Sequence, residues 1–525
     1  MNSSLRERVS SWIESDPDED DQATLLALLE GDDEAELSRR FAAPLTFGTA
    51  GLRGPEMAGP AGMNRATVRR ATQGVLAWLD ELGLELADGV VVGRDARHGS
   101  ERFNDEVIAV LLGAVAGIMI TASHNPSQDN GYKLYARDGA QIVPPDDEIV
   151  ERHARSAGTA TLAERSVASH YFVARTLIEE YCAQLVVRFH APGASDLRIT
   201  YTPLHGVGGA LMMGLFTDAG YDHVTTVARQ FEPDGSFPTL PFPNPEEPGS
   251  LDLAKATAND VDATLIIAND PDADRLGAAV REDGGWRELR GDEIGRLLAS
   301  SLLADIAKRG EVVATTIVSS TMLAAMAKDA GVRCVTTLTG FKWIARAARP
   351  DVLGFGYEEA LGFAVDSRVA DKDGLSAALA LCALADALAR RGQTLLDRLD
   401  ELEERFGVHA TYQLSVRAEG PGTLDSIRRV VDQLRAEPPA SLGQFAVSDV
   451  VDLIRGWRGL APTEGVLLEL GSLARVIVRP SGTEAKVKAY FEVTPPRTGT
   501  LAEQRAVAAR VSDELLENVG ALLRF

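Results

Sequence analysis

Apolar residues along this chain gather in short runs, separated by longer stretches whose apolar positions recur at helical spacing. Val90–Val92 reads as a strand, Arg102–Leu112 as a helix and Gly117–Thr121 as the next strand. The same alternation returns with Arg198–Thr202, Val224–Val227 and Thr264–Ala268. It returns again with Val312–Val318, Arg333–Leu338 and Val352–Tyr357, followed by a helix over Leu375–Leu388. Repeated strand–helix alternation predicts doubly wound α/β domains with mostly parallel sheets. Toward the end, Val466–Leu470, Ala474–Val478 and Lys486–Val493 crowd together before a closing helix, the pattern of a smaller α+β domain. The acidic run Asp16–Asp21 reads as a solvated lead-in to a helix beginning near Ala23. The Pro-rich stretch Phe237–Pro248 reads as a long loop inside the second domain.

A length of 525 residues accommodates about three or four such domains. The expected boundaries are 1–190, 191–290, 291–405 and 406–525. The net charge of −24 makes nucleic acid and anionic membranes poor partners. Any phosphate site must then be built locally from Arg, Lys, backbone N–H groups or a metal. Cys182, Cys334 and Cys382 are too sparse for a disulfide framework or a zinc site. The stretch Met1 to Asp21 lacks the apolar core of a signal peptide, and no apolar run approaches the ~18 residues of a membrane span. A cytoplasmic protein is expected.

Four segments carry candidate chemistry. In Gly117-Ile-Met-Ile-Thr-Ala-Ser-His-Asn-Pro126 an apolar strand delivers Ser123 at its C-terminal end, where open α/β sheets place ligands. His124 and Asn125 follow, and Lys133 lies in Asn130-Gly-Tyr-Lys133. Taken alone, this is equally a turn in which Ser123 and Asn125 satisfy backbone groups. The G-x-S-x-G elbow of a hydrolase is absent here. Asp270-Pro-Asp-Ala-Asp-Arg275 sets three carboxylates at alternate positions, able to fold around one hard cation. Arg275 and Arg281 exclude an EF-hand, and an exposed acidic turn is the competing reading.

Arg479-Pro-Ser-Gly-Thr-Glu484 joins two strands and has the makings of an anion nest, with Lys486 and Lys488 nearby, or of a plain hairpin turn. Gly356-Tyr-Glu-Glu-Ala-Leu-Gly-Phe363 places Glu358 and Glu359 at a strand end, suited to vicinal sugar hydroxyls or simply to solvent. Gly93-Arg-Asp-Ala-Arg97 ends another strand and reads as a buried Arg–Asp pair. Gly206-Val-Gly-Gly209 reads as a helix-entry turn.

In this order, and with Phe47-Gly-Thr-Ala-Gly-Leu-Arg-Gly54 before them, the segments resemble the α-D-phosphohexomutase superfamily from about Phe47 to Glu492. The resemblance implies three similar α/β domains with mixed, mostly parallel sheets and a smaller C-terminal α+β domain, around a central cleft. It implies a phosphoserine at Ser123, with Mg²⁺ held by Ser123, Asp270, Asp272 and Asp274. It places Arg275 beside the phosphoserine and gives Lys133, with Arg53 or His124, a part in proton transfer. Glu358, with Glu359, would contact sugar hydroxyls. Arg479, Ser481, Gly482 and Thr483 would hold the distal phosphate.

The implied reaction moves phosphate between the 1- and 6-positions of glucose or mannose through a bisphosphorylated sugar, with glucose 1,6-bisphosphate as activator. Such chemistry is mainly positioning and charge neutralisation, for which a metal, an Arg and a phosphate clamp are the needed parts. The Thr-Ala-Gly-Leu-Arg-Gly and Gly-Tyr-Glu-Glu-Ala-Leu-Gly forms are most similar to the branch holding phosphoglucomutase-2 and phosphopentomutase members. Ala360 stands where other branches carry serine, which leaves pentose phosphates as the alternative.

One departure stands out. Asp95 and Ser123 are joined through a single helix, where the family has a further strand and helix with a Pro-Thr-Pro-like turn, so a β–α step of the first domain is missing here. The leading expectation is an active mutase with a shortened first domain. The alternatives are a sugar-phosphate-binding relative with weak or no turnover, and a damaged sequence from an active family. A metal-dependent phosphatase is the other enzyme class; it has no use for a phosphate clamp in a separate domain or for a bisphosphate activator.

Overall fold

The computed structural model describes residues 3–48, 51–84, 90–110, 116–157, 175–191, 193, 195–417, 423–480 and 486–523. They form two compact units, Met1–Trp286 with Val369–Leu379, and Arg287–Arg368 with Ala380–Phe525.

The first unit opens with helices Ser3–Ser15, Glu19–Glu30 and Glu34–Arg40. The acidic run is only in part the solvated lead-in expected of it, with Glu19 and Asp20 exposed. Asp16 and Asp18 are buried. Trp12 Nε1 donates to Asp16 Oδ2 at 2.9 Å, Asp18 caps the second helix, and Arg102 reaches Asp18. Asp16 and Asp18 are accommodated inside because each finds donors. With Asp18 as cap, the helix starts at Glu19 rather than near Ala23.

The first sheet comprises β1 (Leu52–Pro55), β2 (Val90–Arg94), β3 (Ala116–Ile120) and β4 (Asp129–Tyr135), in the order β1-β4-β3-β2. Only β2 and β3 pair in parallel, with helix Ser100–Val110 as their described connection; β4 runs antiparallel to both its neighbours. Antiparallel pairing therefore predominates in this sheet, against the mostly parallel arrangement expected. Among the described residues β1 and β2 are the two edge strands of this sheet, and Val91 on β2 is 61% exposed. Helix Arg65–Glu81 is capped by Asn64, and its stripe Val68, Val75, Trp78 and Leu79 packs with Phe103, Ile118, Ile120 and Leu134 into one core.

The second sheet, order β6-β5-β7-β8-β9, holds β5 (Ile199–Thr202), β6 (Val224–Thr226), β7 (Leu265–Asn269), β8 (Leu276–Glu282) and β9 (Gly285–Leu289). All five residues of β7 are buried, which is why its apolar run shows no alternation.

In the second unit, β10 (Val312–Thr316), β11 (Cys334–Thr337), β12 (Leu353–Glu358) and β13 (Gly362–Ala364) form a sheet in the order β11-β10-β12-β13. Strand β10 stops at Thr316, short of the expected Val318. The chain then turns, and Ile317 and Val318 pack with Leu453, Leu467, Ile477 and Tyr490. After β14 (Ala410–Arg417), the two-stranded ribbon β15 (Ser441–Leu442) and β16 (Phe445–Ala446) precedes β17 (Asp449–Asp452), β18 (Val466–Leu470), β19 (Ala474–Pro480) and β20 (Lys486–Val493). These last four and β14 make an antiparallel sheet in the order β14-β20-β19-β18-β17, covered by the closing helix Leu501–Leu522. No described helix is long and apolar enough to cross a membrane, and none of the three cysteines is paired.

Candidate active site

Strand β3 ends at Ile120, and Thr121, Ala122 and Ser123 follow it, all fully buried. Ser123 takes a left-handed backbone conformation with φ of 54°, which costs a non-glycine residue about 1–2 kcal/mol and must be held by its surroundings. Its amide donates to Thr121 Oγ1 at 2.8 Å, and its Oγ donates to Asp270 Oδ2 at 2.7 Å. His124 Nδ1 lies 3.4 Å from that Oγ. Arg53 pairs with Gly131 in the β1–β4 register, and its guanidinium donates to Ala122 O at 3.3 Å, which sets it beside the serine loop. Burial, reinforced by the Arg275 charge, pulls the Arg53 pKa below its ordinary value.

The Asp270–Arg275 loop follows β7 and turns through Ala273, whose φ is 61°. Arg275 N donates to Asp270 Oδ1 at 3.0 Å, and Asn269 Nδ2 donates to Arg275 O at 2.7 Å, so the loop is tied to itself. The Gly206 turn presses against its back. A Cβ on Gly206 would lie 2.4 Å from Pro271 Cα, and Val207 N donates to Pro271 O. The helix-entry reading of Gly206–Gly209 holds, since helix Gly209–Asp218 starts there, and the close approach adds a reason for the glycine.

Asp270, Asp272 and Asp274 bring one carboxylate oxygen each within 4.8 Å of the others. Lys133 Nζ donates to Asp272 Oδ2 and Asp274 Oδ2 at 2.7 Å each, and Lys372 Nζ lies 2.7 Å from Asp274 Oδ2. Burial opposes ionisation of all three aspartates. Lys133 outweighs it at Asp272, and Lys133 with Lys372 and Arg275 at Asp274, so both stay below the usual carboxylate range. At Asp270, burial and the two neighbouring carboxylates hold the group well above that range. Burial likewise pulls Lys133 down, but Asp272 and Asp274 outweigh it and keep it an ammonium.

Asp272 Oδ1 and Asp274 Oδ1 are buried without a hydrogen-bond partner. Two buried acceptors lacking donors, next to a third carboxylate, fit a hard oxygen-seeking cation such as Mg²⁺.

The remaining candidates lie in the second unit. Glu358 is buried at the end of β12. Glu359 Oε2 accepts from Ser319 Oγ at 3.0 Å and Thr316 Oγ1 at 3.2 Å, and burial with the Glu358 charge pushes its pKa up to about 7. Arg479 stands directly opposite Lys488 across the β19–β20 pair. Like charges so placed destabilise a sheet, and an anion between them would relieve the cost. Ser481, Gly482 and Thr483 lie outside the described residues.

Two residues escaped the sequence as candidate site residues. Lys372 sits in Asp371-Lys-Asp-Gly374, a segment the sequence did not single out; only folding shows it buried on Asp274. Arg97 forms the anticipated buried pair with Asp95, Nε to Oδ2 at 3.0 Å, and in addition reaches the serine loop.

Comparison with known proteins supplies the context. Four family models, all described as Phosphoglucomutase/phosphomannomutase, match in series: alpha/beta/alpha domain I at residues 44–114 and 109–160, domain II at 179–285, domain III at 290–406 and the C-terminal domain at 443–509. The first matches in two pieces that meet where helix Ser100–Val110 ends. A probable phosphomannomutase of Haemophilus influenzae is 36% identical over 82% of this chain and 93% of its own. A probable phosphoribomutase of Schizosaccharomyces pombe is 33% identical over 94% of each chain. That second alignment runs over 557 positions, longer than this chain's 525 residues.

Among solved structures, a putative phosphomannomutase of Thermus thermophilus covers 90% of this chain and 99% of its own, with TM-score 0.66 and 22% identity. N-acetylphosphoglucosamine mutase of Aspergillus fumigatus, solved with GlcNAc-6P and magnesium, covers 99% and 100%, with TM-score 0.53 and 16% identity. At such identities the two structures speak for the fold alone.

Proposed function

Because this chain belongs to the phosphoglucomutase/phosphomannomutase family of intramolecular phosphotransferases acting on sugar phosphates, we propose that it interconverts hexose 1-phosphate and hexose 6-phosphate through a phosphoserine at Ser123. The observation that carries this reading is the Ser123 Oγ–Asp270 contact of 2.7 Å at the rim of the carboxylate cluster. It joins a serine on one strand end to a candidate cation site on another.

In the first half-reaction the bond from phosphorus to Ser123 Oγ breaks while one forms to a sugar hydroxyl oxygen, giving a bisphosphorylated sugar. In the second, the other phosphate returns to Ser123 Oγ. Asp270, Asp272 and Asp274 would hold Mg²⁺, which when bound neutralises charge on the transferring phosphoryl group. Arg275 lies within 3.8 Å of Asp270 and Asp274, and Arg53 lies beside Ala122; both suit phosphoryl oxygens near Ser123. Lys133, held as an ammonium, suits delivery of a proton to a leaving oxygen, and His124 follows Ser123 directly with its Nδ1 3.4 Å from the serine Oγ. In the second unit, Glu358 and Glu359 would meet sugar hydroxyls, and Arg479 with Ser481, Gly482 and Thr483 would hold the distal phosphate. Glucose 1,6-bisphosphate would prime the serine.

A pentose substrate is the second reading, favoured by the phosphoribomutase likeness over 94% of the chain and by Ala360, which brings no hydroxyl to the sugar loop. The test incubates the protein with Mg²⁺, a trace of glucose 1,6-bisphosphate and glucose, mannose or ribose 1-phosphate. Turnover that disappears in Ser123→Ala supports the proposal and ranks the sugars. Turnover that survives in Ser123→Ala, or hydrolysis to free phosphate, overturns it.

A further inference from the structure

We propose that Arg97 is a positioning residue for Ser123. Through it, the turn that follows β2 in the first sheet holds the phosphoryl-carrying oxygen in place. The inference rests on Ser123 being the phosphoryl carrier.

Arg97 follows β2 and is 1% exposed. Every donor of its guanidinium is used. Nε donates to Asp95 Oδ2. Nη1 donates to Pro126 O at 2.5 Å and Asp129 O at 3.0 Å, and Nη2 to Ser123 O and Asn125 O at 2.7 Å each. Four carbonyls of the serine loop thus converge on one planar cation, a task that the rigid fork of arginine can meet and a lysine ammonium cannot.

The same pair also reaches the other side of the serine. Asp95 Oδ2 accepts from Thr121 Oγ1 at 2.7 Å, and Thr121 Oγ1 accepts from Ser123 N. The peptide groups before and after Ser123 are therefore both anchored on the Asp95–Arg97 turn. That double anchoring accounts for a non-glycine residue held at φ of 54°.

Two contacts seal the clamp. Phe237 lies under the guanidinium with its ring centroid 5.0 Å from the central carbon. A Cβ on Gly235 would come within 2.4 Å of Ala96 O, so the chain just before the Pro-rich loop sits directly on the Asp95–His98 turn. A buried Arg–Asp pair serving the fold alone would need none of the four loop carbonyls. Their convergence points to the serine loop as what is being held.

The test compares wild type, Arg97→Lys and Phe237→Leu as full-length proteins with Mg²⁺. Amide-hydrogen exchange is read over residues 121–130 and, separately, over the rest of β4, Gly131–Tyr135, alongside kcat, KM and labelling of Ser123 by glucose 1,6-bisphosphate. For Arg97→Lys the proposal expects faster exchange confined to 121–130, KM within about twofold and kcat lower by about 100-fold, the scale of an ångström-level misplacement. Phe237→Leu leaves every hydrogen bond in place and keeps the test alive if the lysine variant does not fold; it is expected to lower kcat by about three- to tenfold with KM unchanged. Unchanged kcat and exchange in a folded Arg97→Lys overturn the proposal, and so does exchange that rises equally throughout the first sheet. If the lysine variant does not fold, unchanged kcat in Phe237→Leu overturns it. Failure of the wild type to label at Ser123 would instead overturn the reading on which it rests.

Discussion

Replacing Arg475 with methionine should loosen the second unit at one place and show how the loop carrying Glu358 and Glu359 is held. Glu492 is 4% exposed, and its Oε1 accepts from Ser320 Oγ, Thr321 N, Thr321 Oγ1 and His409 Nδ1. Its Oε2 accepts from Arg475 Nε at 2.8 Å. Burial opposes its charge, but Arg475 and His409 outweigh burial and hold Glu492 well below the usual carboxylate range. Arg475 also donates to Ile317 O and Ser319 O.

Removing one partner of a buried pair leaves the other charge uncompensated, at about 3–5 kcal/mol. The four remaining donors on Glu492 place the expected loss at the lower end, about 3 kcal/mol. Neutralising the stranded carboxylate in Arg475→Met/Glu492→Gln should recover about 0.5–3 kcal/mol of it, the range for residues in direct contact. The assay is native-state hydrogen exchange read in peptides 312–322 and 474–493, which assigns the free energy to this region rather than to the whole chain. Because Ser319 Oγ donates to Glu359, the single variant should also raise the sugar-phosphate KM by about fivefold, the worth of one displaced hydrogen bond. A double variant that loses the sum of both single losses would refute the reasoning.

Other perturbations separate the parts of the site. Lys133→Met removes the ammonium that occupies Asp272 and Asp274, so Mg²⁺ measured by calorimetry should bind about tenfold more tightly while turnover falls about 100-fold. Weaker Mg²⁺ binding would contradict this. Gly206→Ala must push Pro271 away, and about tenfold weaker Mg²⁺ binding is expected with the second unit's exchange unchanged. For Glu359 the folded pKa of about 7 lies above the ordinary 4.5, so the folded state resists ionisation and stability falls as pH rises between the two values. Glu359→Gln should remove that loss, gaining about 2–3 kcal/mol relative to wild type at pH 8 compared with pH 4. An equal difference between the proteins at both pH values would count against it.

What the sequence revealed depended on whether a residue's partners were local. Strands β7 and β10, buried on both faces, announce themselves as apolar runs, and the serine and aspartate loops follow strand ends where ligands collect. Strand β4 did not show as a strand, because Asp129-Asn-Gly-Tyr-Lys133 looks like solvated turn sequence. Its polar groups are buried on partners far along the chain, Asn130 with Glu56 and Lys133 with Asp272. Lys372 was hidden for the same reason, and Asp16 and Asp18 needed Trp12 and Arg102 to be buried. Arg97 was legible as half of a pair, whereas its four loop carbonyls come together only once β2 and β3 lie side by side. That one described helix, Ser100–Val110, joins those strands was countable from the spacing of Asp95 and Ser123. That β2 would end the described sheet was not, since neighbours in a sheet are set by topology and not by order in the chain.

The most direct test of the account follows one phosphate. Protein labelled by glucose 1,6-bisphosphate carrying traceable phosphate is mapped by peptide mass and then chased with unlabelled glucose 1-phosphate and Mg²⁺. The account predicts label on Ser123 that passes into sugar bisphosphate and glucose 6-phosphate. Label on another residue, or release from Ser123 only as free phosphate, would contradict it.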